Sequence, residues 1–409
     1  MRHSPRTGSS LRVPKVRSEL RNGIVPLHPL ARRNLTPPKS PTNPPVALIV
    51  TPRYLPLLGG LERECALLAD EFSKLGYSPV VVTEQLGMSS PREEFVGKIK
   101  VIRIPSSENR SVIVQLKVAY SLAAILIRLR NDVAFSVVRT FTLPALVVGL
   151  LKRLRLIKFP TLVTAETGGD EDDIVALQRR PLSAVSRWIV ESNDYLNGLC
   201  AANTDHLRQF GYSESKITSI PNGVDASRWE STHPPEQVRR FLFLGRIVAT
   251  KGIFELIDAI CALVSDHREI TLTIAGAGPD ENELRQRSSE LGLEANVTFA
   301  GQVEYESLTD LFAAHDCLVL PSYSEGMPLS VLEAAAHHRV LVVTDVGDMR
   351  RLFDGRAFIC PPRDVKALTE SMRAAIDSAT PKADYAAIID EISIKKVADD
   401  LRTLLLNSQ

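Results

Sequence analysis

The sequence predicts an α/β protein in which two doubly wound parallel sheets face each other across a cleft. Short runs of β-branched and other apolar residues alternate with helical stretches, which is typical of parallel sheets covered by helices. This alternation starts twice, at Val46 and again at Phe241. A polar segment with a Pro pair, residues 222–240, separates the two series and indicates a domain boundary.

We divide the 409 residues into four segments, because this length is comfortable for two domains. Residues 1–45 are rich in Arg, Pro, Ser and Asn, so we expect a disordered basic tail. Residues 46–225 and 226–385 are expected to form two Rossmann-like domains. Residues 386–409 are expected to form a C-terminal helix that packs back on the N-terminal domain.

Composition and charge exclude several classes of protein. Residues 1–45 carry nine Lys/Arg and one Glu, which leaves 40 Lys/Arg against 47 Asp/Glu in the remainder. An acidic body of this kind argues against nucleic acid as a partner. The five cysteines are scattered without a CxxC pair, which favours reduced thiols in the cytoplasm. The N-terminus lacks the apolar stretch of a signal peptide, and no apolar run approaches the roughly 18 residues of a membrane span.

The first series of elements begins at Val46. A Gly-Gly loop joins the strand "VALIV" to the helical "ECALLADEFSKLG", and the strands "SPVVVT" and "IKVIRIP" follow. Next come the helical "VQLKVAYSLAAILIRLR", the strand "DVAFSVV", a helix from Pro144 and the strand "FPTLVTAE". We expect the last strands of this half in "GLCAANTDHLRQFG" and "KITSIPNGVD".

The second series places four further strands after "FLFLG" at Phe241. They are "ITLTIAG", "NVTFAG", "DCLVLPS" and "VLVVTD", each followed by helix-like sequence. Ligands of such sheets bind at the carboxyl ends of the strands. The loops that follow the strands are therefore the candidate binding elements.

Two of these loops suit an anion. Gly59 and Gly60 stand just before a helix whose N-terminal amides can face a phosphate, although a simple turn explains them as well. In "LGRIVATKGIFEL", Arg246 and Lys251 precede a helix N-terminus, where cations oppose the helix dipole. We therefore expect a negative group nearby; the alternative is a pair of solvated surface cations.

A third loop, "IAGAGPDENEL", resembles a dinucleotide fingerprint only in part. Gly276 and Gly278 follow a strand, but the third glycine is missing and Pro279 interrupts the turn into the helix. An NAD-dependent oxidoreductase is thus a weak alternative. We expect a tight loop at the floor of the cleft.

The fourth loop, "SEGMPLSVLE", carries two carboxylates around a helix start. Pro328 fits the first helical position, so that Leu329 and Ser330 present free amides to an anion. Glu325 and Glu333 flank this site, and carboxylates beside a phosphate are unfavourable unless hydroxyl groups bind them. A ligand with a diphosphate between two polyols satisfies both requirements. The alternative is a helix-capping Glu325 and a solvated Glu333.

These motifs resemble the retaining glycosyltransferases of family 4, which have the GT-B fold. "EGMPLSVLE" is similar to the E-x7-E motif of that family, and "LGRIVATKG" is similar to its phosphate-binding loop. "AGAGP", "VTFAGQV", "IPNGVD" and "TDVG" occur in the family's order. The resemblance is strong over residues 220–375, softer over 46–220, and does not cover residues 1–45.

The resemblance implies a role for each candidate residue. Residues 226–385 would bind a nucleotide-sugar and residues 46–225 would form the acceptor side. Arg246 and Lys251 would neutralise the donor's pyrophosphate, and Glu325 would hold the transferred sugar. Glu333 would bind the ribose. The remaining donor-binding candidates are Gly59, Gly60, Gly245, Gly276, Gly301, Val303, Gly326, Leu329 and Ser330.

The family also implies the reaction. Sugar would pass from a nucleotide donor, by default a uridine nucleotide, to a glycan or lipid-linked acceptor with retention of configuration, without a metal or cofactor. The residues leave open which sugar, base and acceptor are used. A catalytically inactive GT-B partner subunit and a GT-B epimerase or phosphorylase stay as alternatives.

One departure from the family lies on the acceptor side. Glu166 follows the strand after which the family often has a histidine. Glu166, Asp170 and Asn222 are therefore our candidates for contact with the sugar or acceptor. The acidic "GGDEDDI" contains a DxD that binds metal in other glycosyltransferases, but here an acidic loop or an acceptor contact explains it as well.

A membrane contact is a further expectation. Residues 145–159 begin apolar and end with four cations, and a basic amphipathic helix can lie on an anionic membrane. The alternative is a helix that covers the sheet with its cations in solvent. The resemblance, which implies lipid-linked acceptors, places the protein in the cytoplasm at the inner face of the membrane.

Overall fold

The computed structural model describes residues 44–57, 59–85, 91–107, 111–168, 172–179, 182–227, 233–266, 269–378 and 383–407. Its strands form two sheets, one of eight strands and one of six. The basic tail that we expected for residues 1–45 lies outside the described residues, except for Pro44 and Pro45.

The N-terminal sheet has the strand order β3-β4-β2-β1-β5-β6-β7-β8. Its strands are β1 Val46–Thr51, β2 Ser78–Glu84, β3 Glu93–Val96, β4 Ile99–Ile104, β5 Val133–Arg139, β6 Thr161–Thr164, β7 Tyr195–Asn197 and β8 Ile217–Thr218. Its helices are α1 Gly60–Lys74, α2 Val112–Leu129, α3 Leu143–Arg153, α4 Asp173–Gln178, α5 Ser183–Val190 and α6 Ala201–Gln209. All neighbours are parallel except β3, which pairs antiparallel with β4 at the sheet edge.

The C-terminal sheet has the order β11-β10-β9-β12-β13-β14 and is parallel throughout. Its strands are β9 Arg240–Leu244, β10 Thr271–Ala275, β11 Val297–Gly301, β12 Cys317–Leu320, β13 Val340–Thr344 and β14 Phe358–Cys360. The helices of this part of the chain are α7 Ile253–Val264, α8 Glu281–Glu290, α9 Leu308–Ala313, α10 Leu329–Ala336, α11 Met349–Phe353, α12 Val365–Asp377, α13 Ala386–Ile392 and α14 Ile394–Leu406.

Helices cover both faces of the N-terminal sheet, which explains why its central strands are continuously apolar. Every residue of β1 is buried. One face packs under α2, α3 and α5, and the other packs under α1 and α14. The predicted alternation of strands and helices thus corresponds to two doubly wound sheets.

The segment "GLCAANTDHLRQFG", which we expected to contain a strand, forms helix α6 instead. Asn203, Thr204 and Leu207 are buried at helical spacing, and the hydroxyl of Thr204 donates to the carbonyl of Cys200. The strand of this region is β7, which ends just before the quoted segment. The short apolar run at residues 199–202 does not by itself distinguish a strand from a helix.

The C-terminal segment is two helices rather than one. In α13, Ile388, Ile389 and Ile392 pack into the core of the C-terminal domain. After Ser393, whose hydroxyl caps α14, the chain crosses back and α14 packs into the N-terminal domain. Residues 386–392 therefore belong with the C-terminal core, and the return to the N-terminal domain begins at Ser393.

Helix α2 differs from the expectation that no apolar stretch is long enough to span a membrane. Among the described residues, Val112–Leu129 is one helix whose length and composition alone would suffice for a span. The sequence analysis missed it because Lys117 and the neighbouring polar residues interrupt the apolar run. In the structure, one side of α2 packs on the sheet through Val118, Leu122 and Leu126.

We predict that α14 contributes strongly to the stability of the N-terminal domain. Leu401 is 4% exposed and packs in the core beneath α1, so Leu401→Ala should lower the free energy of unfolding by about 2–5 kcal/mol. Chemical unfolding followed by circular dichroism measures this change. Lys395→Ala, on the exposed side of the same helix, is the matched control and should change stability by about 0.5 kcal/mol or less.

Candidate active site

The carboxyl ends of the two sheets border a cleft with a cavity volume of about 810 Å³. Of the residues proposed from the sequence, the cavity lining includes Gly59, Gly60, Glu166, Asn222, Gly245, Arg246, Lys251, Gly276, Val303, Glu325, Leu329, Ser330 and Glu333. Gly301 and Gly326 lie beside the cleft but do not line it. Asp170 lies outside the described residues.

The floor of the cleft is made by two loops in close backbone contact. Gly276 follows β10 with a φ of 143°, and a Cβ atom there would lie 1.9 Å from the carbonyl oxygen of Gly245. Only glycine allows this approach. The contact fixes the start of the loop that carries Arg246 and Lys251 from β9 towards α7.

The two cations of this loop have different surroundings. The ammonium of Lys251 lies 2.5 Å from Oε1 of Glu325, which also accepts a hydrogen bond of 2.7 Å from Ser322. Arg246 is exposed and lines the cleft, and it has no acidic partner among the residues that the structure describes. Arg246 is therefore the cation in the cleft with charge to offer a ligand directly.

Helix α10 points its N-terminus into the cleft. Pro328 has a ψ of 119° and occupies the N-cap, not the first helical position that we expected, so the helix begins one residue later. The carbonyl of Pro328 accepts from the amides of Val331 and Leu332. The amides of Leu329 and Ser330 precede the first intrahelical bond, and the helix dipole favours an anion beside them.

Glu333, one turn into α10, forms an ion pair with the opposite domain. The guanidinium of Arg63 in α1 donates to both oxygens of Glu333, each at 3.0 Å, and lies 5.4 Å from the ring centre of Tyr305. The two side chains are only 14% and 8% exposed. A carboxylate that would be costly to bury alone is thus neutralised across the cleft.

A second link between the domains passes through Asn222. Its Oδ1 accepts from Arg139 at 3.0 Å, and its Nδ2 donates to the carbonyl of Met327 at 3.0 Å. Arg139, at the end of β5, also pairs with the buried Glu64 at 3.0 Å. Asn222 therefore anchors the loop before α10; it also lines the cleft, and its contact with the sugar or acceptor stays a prediction.

Glu166 lies at the N-terminal side of the cleft in a chain of charges. Its carboxylate is 3.2 Å from Arg53, which in turn is 3.3 Å from Glu62. Burial raises the pKa of Glu166, while the charges of Arg53 and Arg139 oppose the rise. The group is a carboxylate held at the cleft surface with one cationic partner.

The acidic segment after β6 positions Glu166. Asp173 accepts from the backbone amides of Phe141 at 2.8 Å and Glu166 at 3.3 Å, and burial raises its pKa from the usual 3.8 to about 7. Asp172 caps α4 and accepts from Asn203 and His206, each at 2.7 Å. These bonds occupy Asp172, the second aspartate of the DxD. Within the described part of the chain, no cluster of three or more His, Cys, Asp or Glu side chains could hold a metal ion.

The loops of the two domains also touch directly. The hydroxyl of Ser324 donates to the carbonyl of Gly168 at 2.6 Å. A Cβ atom on Gly168 would lie 2.7 Å from the carbonyl oxygen of Glu325. The position of Glu325 therefore depends on backbone contact with the N-terminal domain.

Three arginines in the cleft, Arg53, Arg63 and Arg139, were missed by the sequence analysis. Arg139 had a usable signal, because a charged residue that ends an apolar strand lies at the ligand-binding edge of a parallel sheet. Arg53 had the same signal, because it follows β1 in the loop that carries Gly59 and Gly60. Arg63 lies inside a helix and had no such signal.

Two family models match consecutive parts of the chain. "Glycosyltransferase Family 4" matches residues 58–228 and "Glycosyl transferases group 1" matches residues 226–391. Together they cover more than half of the sequence. Most residues that line the cleft lie within the matched region.

Among curated proteins, the chain is similar to glycogen synthase of Mycobacterium tuberculosis. The two are 31% identical over 222 residues, which are 53% of this chain and 54% of the relative. The match therefore spans about half of the relative's length.

Solved structures share the fold. Sucrose-phosphate synthase from Thermosynechococcus elongatus superposes with a TM-score of 0.73 at 17% identity, over 88% of this chain and 98% of that one. Anabaena HepE in complex with UDP-glucose gives a TM-score of 0.68 at 17% identity, over 89% and 100%. The prediction of a GT-B fold is confirmed.

We predict that Asp173 makes stability fall as pH rises from about 4 to 7. Between its unfolded and folded pKa values the folded chain retains a proton that the unfolded chain has lost, so the free energy of unfolding should fall by about 1.4 kcal/mol for each pH unit. Asp173→Asn has no such titration, so it should match the wild type near pH 4 and exceed its stability near pH 7. Chemical unfolding across this range measures the difference.

Asp205→Asn, an exposed aspartate on α6, is the matched control and should follow the wild type at every pH. A constant difference between Asp173→Asn and the wild type would show that Asp173 does not titrate in this window.

Proposed function

This chain belongs to glycosyltransferase family 4, and we propose that it is a retaining hexosyltransferase that moves a sugar from a nucleotide-sugar to a glycan or lipid-linked acceptor. The observation that carries the proposal is the anion site built by Arg246, Lys251 and the N-terminus of α10. Its charges and amides suit a pyrophosphate, and it lies between carboxylates that suit hydroxyl groups.

The anion site supplies the main catalytic effect in this proposal. Cleavage of the bond between the sugar and the phosphate develops negative charge on the departing nucleotide. Lys251, which Glu325 holds, and the amides of Leu329 and Ser330 are already in place to stabilise that charge, and the exposed Arg246 adds a second cation beside them. These fixed cations support a reaction that needs no metal ion or cofactor.

The carboxylates orient the two polyol ends of the donor. Glu333 would accept hydrogen bonds from the ribose hydroxyls and Glu325 from the hydroxyls of the transferred sugar. Both carboxylates are held by cations, Arg63 and Lys251, so their orientation is set before a donor arrives. Val303, at the end of the cleft that follows β11, would meet the base.

Retention follows if the acceptor attacks the face from which the nucleotide leaves. The bond from the anomeric carbon to the phosphate oxygen breaks, and a bond to the acceptor oxygen forms on the same face. The departing phosphate takes the acceptor's proton, so no strong base from the protein is required. Closer approach of the two domains around a bound donor would exclude water from the reacting groups.

A uridine donor and a cell-surface acceptor are the finer parts of the proposal. The complex of HepE with UDP-glucose supports the choice of base. The similarity to glycogen synthase supports a role in polysaccharide formation. A lipid-linked acceptor would place the enzyme in the cytoplasm at the inner face of the membrane, in contact through residues 145–159, whose Arg153, Arg155 and Lys158 are exposed.

We predict that Arg246→Ala/Lys251→Ala lowers nucleotide release from the preferred donor by about 100-fold or more, because two fixed charges at the departing phosphate are lost. Release is measured with UDP-, GDP- and ADP-sugars, with and without EDTA. Lys366→Ala is the matched control, because this lysine lies on helix α12 and is 87% exposed. Its rate of nucleotide release should equal that of the wild type. Nuclear magnetic resonance of the product gives its anomeric configuration.

Other outcomes assign other functions. Donor binding by calorimetry without release, with any acceptor, would indicate an inactive partner subunit. Release that requires inorganic phosphate would indicate a phosphorylase, and a changed sugar on an intact nucleotide would indicate an epimerase. Absence of binding to every donor would contradict the pyrophosphate site, and loss of activity in EDTA would contradict metal independence.

We predict that Glu166→Gln lowers turnover by about tenfold or more, because an amide is a weaker acceptor for sugar hydroxyls than a carboxylate. The same steady-state assay measures this change, and KM for the donor separates binding from turnover. Glu370→Gln, an exposed glutamate on α12, is the control. Unchanged turnover in Glu166→Gln would show that the charge of this carboxylate has no role.

A further inference from the structure

We propose that the outer surface of helix α2 docks on an anionic lipid bilayer, with the C-terminal end of α3 and helix α5 beside it. This surface, the α2 face, consists of Val112, Ile113, Leu116 and Tyr120. The inference deepens the proposed function, because it identifies how the enzyme would reach a lipid-linked acceptor. It places the principal membrane contact on α2 rather than on residues 145–159 alone.

Helix α2 is apolar on two opposite sides. Its inner side, formed by Val118, Leu122 and Leu126, is buried on the sheet. Its outer side exposes 73% of Val112, 68% of Ile113, 64% of Leu116 and 77% of Tyr120. A helix on the surface of a soluble domain normally presents polar residues to solvent. Contiguous exposed apolar side chains of this size indicate an interaction surface.

The neighbouring helices extend the same layer. Helix α3 packs against both α2 and α5 on one face of the N-terminal sheet. Leu154 and Leu156, just after α3, and Trp188 in α5 are about half exposed. The guanidinium of Arg153 lies 3.3 Å from the ring centre of Trp188. Aromatic rings and arginines with apolar stems suit the boundary between headgroups and acyl chains.

The charge of this layer identifies the partner. Residues 111–131 and 143–159 contain seven Lys/Arg and no Asp/Glu, although the chain beyond residue 45 has an excess of acids. Two of the seven, Arg128 and Lys152, pair with Glu93 and Asp194 from outside these ranges. Lys117, Arg155 and Lys158 are exposed and have no acidic partner among the described residues. A cationic, apolar layer is complementary to anionic lipid. It would repel a second copy of itself and the tail of residues 1–45, which carries nine Lys/Arg and one Glu.

The position of α2 connects the membrane to the cleft. Because α2 follows β4 along the chain, its first turns lie near the carboxyl edge of the sheet, which borders the cleft. With 18 residues, the helix is about 27 Å long and lies along the sheet. A bilayer tangent to this layer would leave the cleft close to the headgroups, where a lipid-linked acceptor presents its polar end.

Co-sedimentation of the full chain with lipid vesicles tests the proposal. With vesicles that contain about 30% phosphatidylglycerol, Ile113→Ser/Leu116→Ser/Tyr120→Ser should lower the partition coefficient at least about tenfold. Lys117→Glu/Arg155→Glu should lower binding to these vesicles but not to pure phosphatidylcholine. Lys366→Glu/Lys395→Glu, at exposed lysines outside this layer, is the matched control and should bind as the wild type does.

A second measurement remains valid even if the triple serine variant does not fold. Brominated lipids should quench the fluorescence of Trp188. This quenching is obtained by subtracting the tryptophan emission of Trp188→Phe from that of the wild type. Circular dichroism checks the fold of each variant. Nucleotide release in the absence of vesicles, measured in parallel, should be the same in the wild type and the α2 variants, because none of the changed residues lines the cleft.

Three results would overturn the proposal. The first is wild-type protein that does not bind anionic vesicles. The second is binding that the α2 substitutions leave unchanged, which would assign the contact to the basic tail. The third is a wild-type dimer, seen by sedimentation velocity, that is absent in Ile113→Ser/Leu116→Ser/Tyr120→Ser. This result would assign the surface to a second copy of the chain. The transferase proposal fails separately: if the protein binds vesicles but releases no nucleotide from any donor, the membrane contact stands and the transferase proposal does not.

Discussion

The ion pair between Arg63 and Glu333 joins the two domains at the place where the carboxyl ends of both sheets meet. Each charge is nearly buried, so neither could stay there without the other. The same compensation recurs between Lys251 and Glu325. Arg246 lines the cleft, is exposed and has no acidic partner among the described residues, so it is a cation that an incoming anion can reach.

These cross-domain contacts make the anion site a property of the whole molecule. Asn222, from the end of the N-terminal domain, holds the carbonyl of Met327 just before α10. Gly168 lets the backbone of its loop approach Glu325. Movement between the domains would thus shift Glu325 and the start of α10 together. In the proposed function, these contacts would couple the binding of a nucleotide-sugar to the relative position of the two domains.

The N-terminal domain presents two different outer layers. The layer of α1 and α14 is tied to the C-terminal domain by the chain that crosses at Ser393. The layer of α2, α3 and α5 carries cations and exposed apolar side chains. One layer therefore supports the cleft, and the other is available to a surface outside the molecule. The proposed docking on a membrane would use the second layer and leave the first to support the cleft.

The sequence by itself determined the α/β class, the two series of strands and the loops with Arg246, Lys251, Glu325 and Glu333. The periodicity of strands and helices is a local property of the sequence, so it can be recognised without the tertiary structure. Because ligands of parallel sheets bind at the carboxyl ends of the strands, the predicted strands also indicate where the site lies. Only the tertiary structure decided that Arg63 pairs with Glu333, 270 residues away, that Asn222 is an anchor, and that α13 and α14 belong to different cores. Partners so distant in the chain leave no periodic signal, because the burial of a charge depends on what the other domain places opposite it.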